Sequence, residues 1–222
     1  MASGRSTCRP GNKFLFLFSL LFVLNAIHPF SSVSESTVLQ QLNLGLASSS
    51  CEDGDLVFRY GNGFWSPYFR NVSTLQKRFS HTGIVFFRNG RPWVVHSDAH
   101  SLTGVGQVRL EPLESFLADA SDFAFYRLDA PQSVRKHIAT VAFSYLGRPF
   151  DPSFDLHDPS KLYCSELVMH AVNEAAGKEL IKPSVIHGET VVAIDDCYRN
   201  SNIREVPVLH SEAKRMETAK RL

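Results

Sequence analysis

Leu162-Tyr163-Cys164-Ser165-Glu166-Leu167-Val168 places a cysteine at the start of a predicted helix. Downstream, Leu167, Val168, Ala171, Val172 and Ala175 recur at helical spacing, and Gly177 supplies a stop. Upstream, Asp158-Pro159-Ser160 is turn chemistry, so the helix begins close to the cysteine. Cys164 therefore falls in a first turn, where unpaired backbone N–H groups and the helix dipole favour an anion. A thiolate is such an anion, and the placement is expected to lower the cysteine pKa. The same N–H groups are suited to hold an oxyanion. A small apolar cysteine also packs well at such a position, so the helix start does not decide between chemistry and packing.

A partner for the thiol is found far upstream. Thr82–Arg88 and Arg91–Ser97 flank Asn89-Gly90, the pattern of a two-residue hairpin. Counting outward from Arg88 opposite Arg91 sets Gly83 opposite His96 and His81 opposite Asp98. Alternation with period two then puts His81, His96 and Asp98 on one face. Opposite residues lie about 5 Å apart and diagonal ones about 7–8 Å, so two imidazoles and a carboxylate are within reach of one another. Gly83 leaves room between the rings. Three readings compete: a polar sheet face open to water, a zinc site drawn from His81, His96, Asp98 and His100, and cysteine–histidine catalysis. In the last, His81 takes the Cys164 proton and His96 or Asp98 fixes its orientation. Only that reading uses both the hairpin and the cysteine helix.

The rest of the chain reads mostly as strands followed by helices. Leu56–Tyr60, Gly106–Leu110, Asp122–Leu128 and Ile203–Leu209 are predicted strands. Pro131 opens a helix to Tyr145, and a short helix is expected near Thr190–Asp196. Gly61–Lys77 is expected to be a long loop, whose Phe64, Trp65, Tyr68 and Phe69 are suited to line a substrate groove. The order indicates an α+β fold, an antiparallel sheet packed against helices. With a net charge of +1 and interspersed signs, the chain lacks the basic stripe of a nucleic-acid binder. There is no Gly-x-Ser-x-Gly elbow, phosphate loop or Cys-x-x-Cys pair.

Residues 1–34 show basic residues, an apolar run Phe14–Ile27 and small residues around Ser31–Ser34, the order of a secretory signal peptide. The run is short for a span of about 20 residues, though retention as an N-terminal membrane anchor stays open. Residues 35–50 read as a linker, 51–210 as the domain and 211–222 as a charged tail. The expected location is secreted or extracytoplasmic, with membrane contact only if the N-terminal segment is retained. Cys8 would leave with the signal, and the remaining odd count suggests one disulfide and one free thiol. If Cys164 stays free, Cys51 and Cys197 are the natural pair. Asn71-Val72-Ser73 is a glycosylation sequon.

Ser80-His81-Thr82-Gly83-Ile84-Val85, followed by Tyr163-Cys164-Ser165-Glu166-Leu167-Val168, resembles the circularly permuted papain-like cysteine amidases. This is the YiiX-like branch of the NlpC superfamily, related to the lecithin:retinol acyltransferases. Gly54-Asp55-Leu56-Val57-Phe58 and Gly147-Arg148-Pro149-Phe150-Asp151 match two further segments of that family, in the same order. The resemblance implies a permuted papain-like, NlpC-type fold with the catalytic cysteine at a helix N-terminus. It implies Cys164 as nucleophile, His81 as general base and His96 at the third, polar position. Many YiiX-like members carry Glu there, and a histidine is closer to the acyltransferase branch. Asp98 is the reserve orienting residue. The Cys164 backbone N–H and Tyr163 are the oxyanion candidates. The implied activity is thiol hydrolysis of an amide in a peptide, acylated protein or lipid amide, without metal or organic cofactor. A lipid-directed acyltransferase or thioesterase using the same residues is the alternative, and a non-catalytic or zinc-binding module the third.

Overall fold

The computed structural model describes residues 45–61, 70–71, 73–100 and 103–208. The chain divides into Met1–Leu39 and Gln40–Leu222, and everything described belongs to the second unit. The expected signal segment, the aromatic positions Phe64, Trp65, Tyr68 and Phe69, and the charged tail lie outside the described residues. Asn71 is exposed, whereas Ser73 of the same sequon is buried.

The architecture is α+β, as expected. Strands β1 (Leu56–Gly61), β2 (His81–Arg88), β3 (Arg91–Ala99), β4 (Gly106–Pro112), β5 (Ala120–Leu128) and β8 (Ile203–Val206) form one sheet in the order β4-β3-β2-β1-β5-β8. Every pairing within it is antiparallel. Helices α1 (Leu113–Leu117), α2 (Gln132–Ser144) and α3 (Cys164–Ala176) accompany it. A small hairpin, β6 (Ser184–Ile186) with β7 (Glu189–Val191), and a 3-10 turn at Ile194–Cys197 lead into β8. Among the described residues no helix is long and apolar enough to cross a membrane.

Alternation along the strands divides the interior in two. Leu56, Phe58, Ile84 and Val95 meet α2 and α3 through Ile138, Ala142, Leu167, Val168, Ala171 and Val172. Val57, Val85, Val94 and Phe125 face the other way, toward Leu113, Phe116 and Leu117 of α1 and toward Ala47 and Cys51. Residues 45–50, expected to belong to a linker, are helical and bury Ala47.

The β2–β3 hairpin follows the deduced register, with Arg88 paired to Arg91 and Ile84 to Val95. Asn89 and Gly90 have φ of 52° and 74°, the two positive values a type I′ turn requires. At Gly83, a Cβ would approach Val94 Cγ1 to 2.5 Å and His96 Cβ to 3.0 Å. A glycine is what lets the histidine strand lie that close.

Asp55, in the Gly-Asp segment before β1, is fully buried. Its carboxylate accepts hydrogen bonds from Arg127 Nε and an Arg127 terminal nitrogen, each at 2.7 Å, and from the Glu52 N–H at 2.8 Å. It ties β5 to the entry of β1, so its role here is structural.

The expected disulfide does not form. Cys51 and Cys197 are both free and buried, and they belong to the two cores on opposite sides of the sheet. Counting cysteines could not reveal the sheet between them.

Candidate active site

The segment Gly147–Asp151 delivers Cys164 to the sheet. It runs along the outer edge of β4, with Gly147 N–H donating to Val108 O, Val108 N–H to Arg148 O and Phe150 N–H to Gly106 O. Leu162 then pairs back onto it, its N–H donating to Pro149 O at 3.0 Å. The Leu162 carbonyl accepts from the Ser97 hydroxyl and the Asp151 N–H. Two links from the first turn of α3 reach Val192. Ser165 Oγ donates to its carbonyl at 2.7 Å, and its N–H donates to Tyr163 Oη at 2.8 Å. Glu166 Oε2 accepts the Tyr163 N–H at 3.3 Å, a first-turn acid closing the helix start.

These contacts set Cys164 where β2 and β3 part. Their pairing runs only as far as Ile84–Val95, so the Thr82 N–H, which points toward β3, is left without a ladder partner there. The Thr82 backbone lies beside the Cys164 sulfur and, with those of Ser165 and Cys164 itself, acts to lower the thiol. Removal from water nevertheless dominates, pushing the thiol up to about 11 against those backbone contributions. The expected lowering at the helix start is therefore present as a contribution but is outweighed by burial.

His81 and His96 meet as the register requires, with His81 Nε2 2.9 Å from His96 Nδ1. Both rings also contact Phe116, tilted at 5.6 Å for His81 and edge-on at 5.1 Å for His96. His96 is fully buried. Its Nε2 lies 3.2 Å from Glu111 Oε1, at ion-pair distance but off the line of a well-formed hydrogen bond. Glu111 Oε2 is 3.3 Å from Arg109, which also holds Asp98 at 2.7 Å. Asp98, the reserve orienting residue, is thus engaged by Arg109, and His96 is the group that contacts His81. Arg59, the β1 neighbour of His81, covers the Phe116 ring at 4.7 Å. Burial holds His81 well below its usual range, with Arg59, His96 and Arg109 adding to the effect.

The structure thus brings His81 to His96 and brings Cys164 to Thr82, one residue from His81. Among the described residues no hydrogen bond joins the sulfur to the imidazole. By alternation, the His81 ring lies on the Phe116 side of β2, whereas Cys164 and the apolar face of α3 pack against the core on the other side. The Tyr163 hydroxyl lies buried and accepts the Val192 N–H, and the Tyr163 backbone N–H donates to Glu166. Glu111, Arg109, Arg59 and Phe116 were not found from sequence. The alternation of Arg109 and Glu111 on β4 carried a signal, but its register against β3 depends on a connection without a turn signature.

The zinc reading does not fit these donors. His81 Nε2 and His96 Nδ1 face each other, and Asp98 is ion-paired. Among the described residues no group of three or more His, Cys, Asp or Glu side chains is placed to hold a metal ion.

The titration has a measurable consequence. The Cys164 thiol is held above an ordinary thiol, so its alkylation by iodoacetamide is expected to keep rising between pH 8 and about 11. A free thiol would level off above about 8.5. Peptide-resolved mass spectrometry reads this directly, and a plateau below pH 8 would show a preformed thiolate instead.

A family model described as permuted papain-like amidase enzyme, YaeF/YiiX, C92 family, matches residues 50–211. The uncharacterized protein YiiX of Escherichia coli K12 is 29% identical over 130 residues. That match covers 57% of this chain and 59% of YiiX, so the chain spans less than two thirds of its relative. The crystal structure of YiiX from Escherichia coli O157:H7, described as a metalloprotein, superposes with a TM-score of 0.60 at 22% identity. It covers 72% of this chain and 98% of the other, a likeness of fold.

Proposed function

The chain belongs to the permuted papain-like amidase family, and from that premise we propose that it is a thiol hydrolase cleaving an amide through an acyl-enzyme on Cys164. The observation that carries this reading is the position of the thiol at the start of α3, beside Thr82, whose neighbour in the chain, His81, is itself held by a second histidine. At rest the thiol is protonated and His81 is neutral. Proton transfer therefore accompanies attack: His81 Nδ1 takes the thiol proton as the sulfur bonds to the carbonyl carbon. His81 has its Nε2 engaged by His96, which leaves Nδ1 for the thiol. Catalytic hydrogen bonds are often long or poorly aligned before substrate arrives and tighten only in the complex. The backbone N–H groups around the sulfur are suited to the oxyanion. The imidazolium then protonates the leaving amine, and water takes the acyl group from Cys164.

Peptides, acylated proteins and lipid amides all carry the required bond. An acyl acceptor other than water would make the same site an acyltransferase, and His96 at the third position is the feature that favours this second reading. The order of basic, apolar and small residues over 1–34 supports work outside the cytoplasm. The metalloprotein description of the O157:H7 relative is not carried over to this site, whose donors are engaged with one another.

A panel of acylated p-nitroanilides tests the reading. Release of p-nitroaniline is expected from the wild type and not from Cys164→Ala. Turnover that persists in Cys164→Ala would overturn it.

A further inference from the structure

Behind His96 stands a carboxylate that the reaction just described does not use. His96 is fully buried, and its Nε2 is among the buried polar atoms without a well-formed hydrogen bond. The polar group it faces is Glu111 Oε1 at 3.2 Å. Glu111 is ion-paired at its other oxygen to Arg109, and that arginine also holds Asp98. A carboxylate only accepts hydrogen bonds, and a bare imidazole lone pair facing it would be repelled. The proton of neutral His96 therefore belongs on Nε2. His96 Nδ1 is then an acceptor, so the 2.9 Å contact with His81 must be donated by His81 Nε2. That leaves His81 Nδ1 unprotonated, as a base requires.

We infer that Glu111 is a positioning residue that fixes the tautomers of both histidines, so that one anchored carboxylate sets the direction of the hydrogen-bond chain ending at the base. This rests on the assignment of Cys164 and His81 made above. The charged and titratable groups facing the chain are Arg59, Asp98 and Arg109, besides the two histidines themselves. Burial pushes the Glu111 carboxyl up, but His96, Arg109 and Arg59 outweigh it and hold it below its ordinary range. The group is thus anionic at neutral pH, as the role demands. Once His81 is protonated, the same carboxylate stabilises the positive charge through His96.

Glutamine is nearly isosteric with glutamate but also donates. In Glu111→Gln the amide NH2 can donate to His96 Nε2, which reverses both histidines and places a proton on His81 Nδ1. The full chain, as wild type, Glu111→Gln, Glu111→Asp and His81→Ala, is acylated with p-nitrophenyl acetate at pH 7.5, and the rate is followed at Cys164. In parallel, long-range 1H–15N NMR reads which ring nitrogen of His81 carries the proton. The expected result is an acylation rate lowered by about 10²-fold in Glu111→Gln, the loss of general-base help. The His81 proton is expected to move from Nε2 to Nδ1, and Glu111→Asp, which keeps the carboxylate, to recover most of the rate. A wild-type rate in Glu111→Gln alongside a slow His81→Ala would overturn the inference and leave the base assignment standing. A slow Glu111→Gln with the His81 proton still on Nε2 would overturn it too, showing a structural role only. If His81→Ala reacts like the wild type, the base assignment falls, and the inference with it.

Discussion

Replacing His81 with alanine is expected to lower kcat by about 10²–10⁴, the usual contribution of a positioned base, with little change in KM. The size follows from the resting state. The thiol is pushed up to about 11, so spontaneous thiolate is scarce at neutral pH and the reaction depends on a group that removes the proton during attack. His81 suits that task because burial, Arg59, His96 and Arg109 all keep it neutral. The sign is fixed by that direction. A base whose pKa lies well below 6.5 stays unprotonated through the neutral range, so activity should persist into mildly acidic solution and fall only as His81 protonates. The measurement is steady-state kinetics against pH for the wild type and His81→Ala, with circular dichroism confirming that the variant is folded. A loss under tenfold, or an acidic fall that survives the substitution, would remove His81 from the mechanism.

Asp55→Ala is expected to destabilise the fold by about 3–5 kcal/mol, the penalty for leaving one member of a buried ion pair uncompensated. Asp55 is fully buried, and the Arg127 side chain is only 15% exposed. Arg127 keeps Glu52 at 2.8 Å after the change, but that carboxylate is itself 41% exposed and pairs weakly. The Glu52 N–H also loses its acceptor. Urea unfolding gives the difference, and a loss below about 1 kcal/mol, the worth of an exposed pair, would contradict the structural role assigned to the Gly-Asp segment.

Where local chemistry dictates geometry, the sequence was readable. Asn89-Gly90 requires a tight hairpin, and period-two alternation then carries His81 to His96 without further information. The start of α3 at Cys164 follows from the turn before it and the apolar spacing after it. Three kinds of feature escaped. Helix α1 spans only Leu113–Leu117, too short for a helical period to show, and with it Phe116 was missed under both imidazoles. Glu111 depends on the register of β4 against β3, which pairs Val94 with Glu111 and His96 with Arg109 and is set by tertiary packing. The thiol's titration is not legible in sequence, where a helix start is visible but the burial that opposes it is not. The disulfide between Cys51 and Cys197 failed for the same reason: an even pairing of cysteines says nothing about which side of a sheet each one faces.

The most direct test of Cys164 as nucleophile is to quench the protein in acid shortly after mixing with p-nitrophenyl acetate and to map the acetyl group by peptide mass spectrometry. The expected result is a single thioester on Cys164, removable by neutral hydroxylamine and absent from Cys164→Ala, with Cys51 and Cys197 unmodified in their buried positions. Acetyl groups found only on lysine or serine side chains, with Cys164 unmodified, would contradict it.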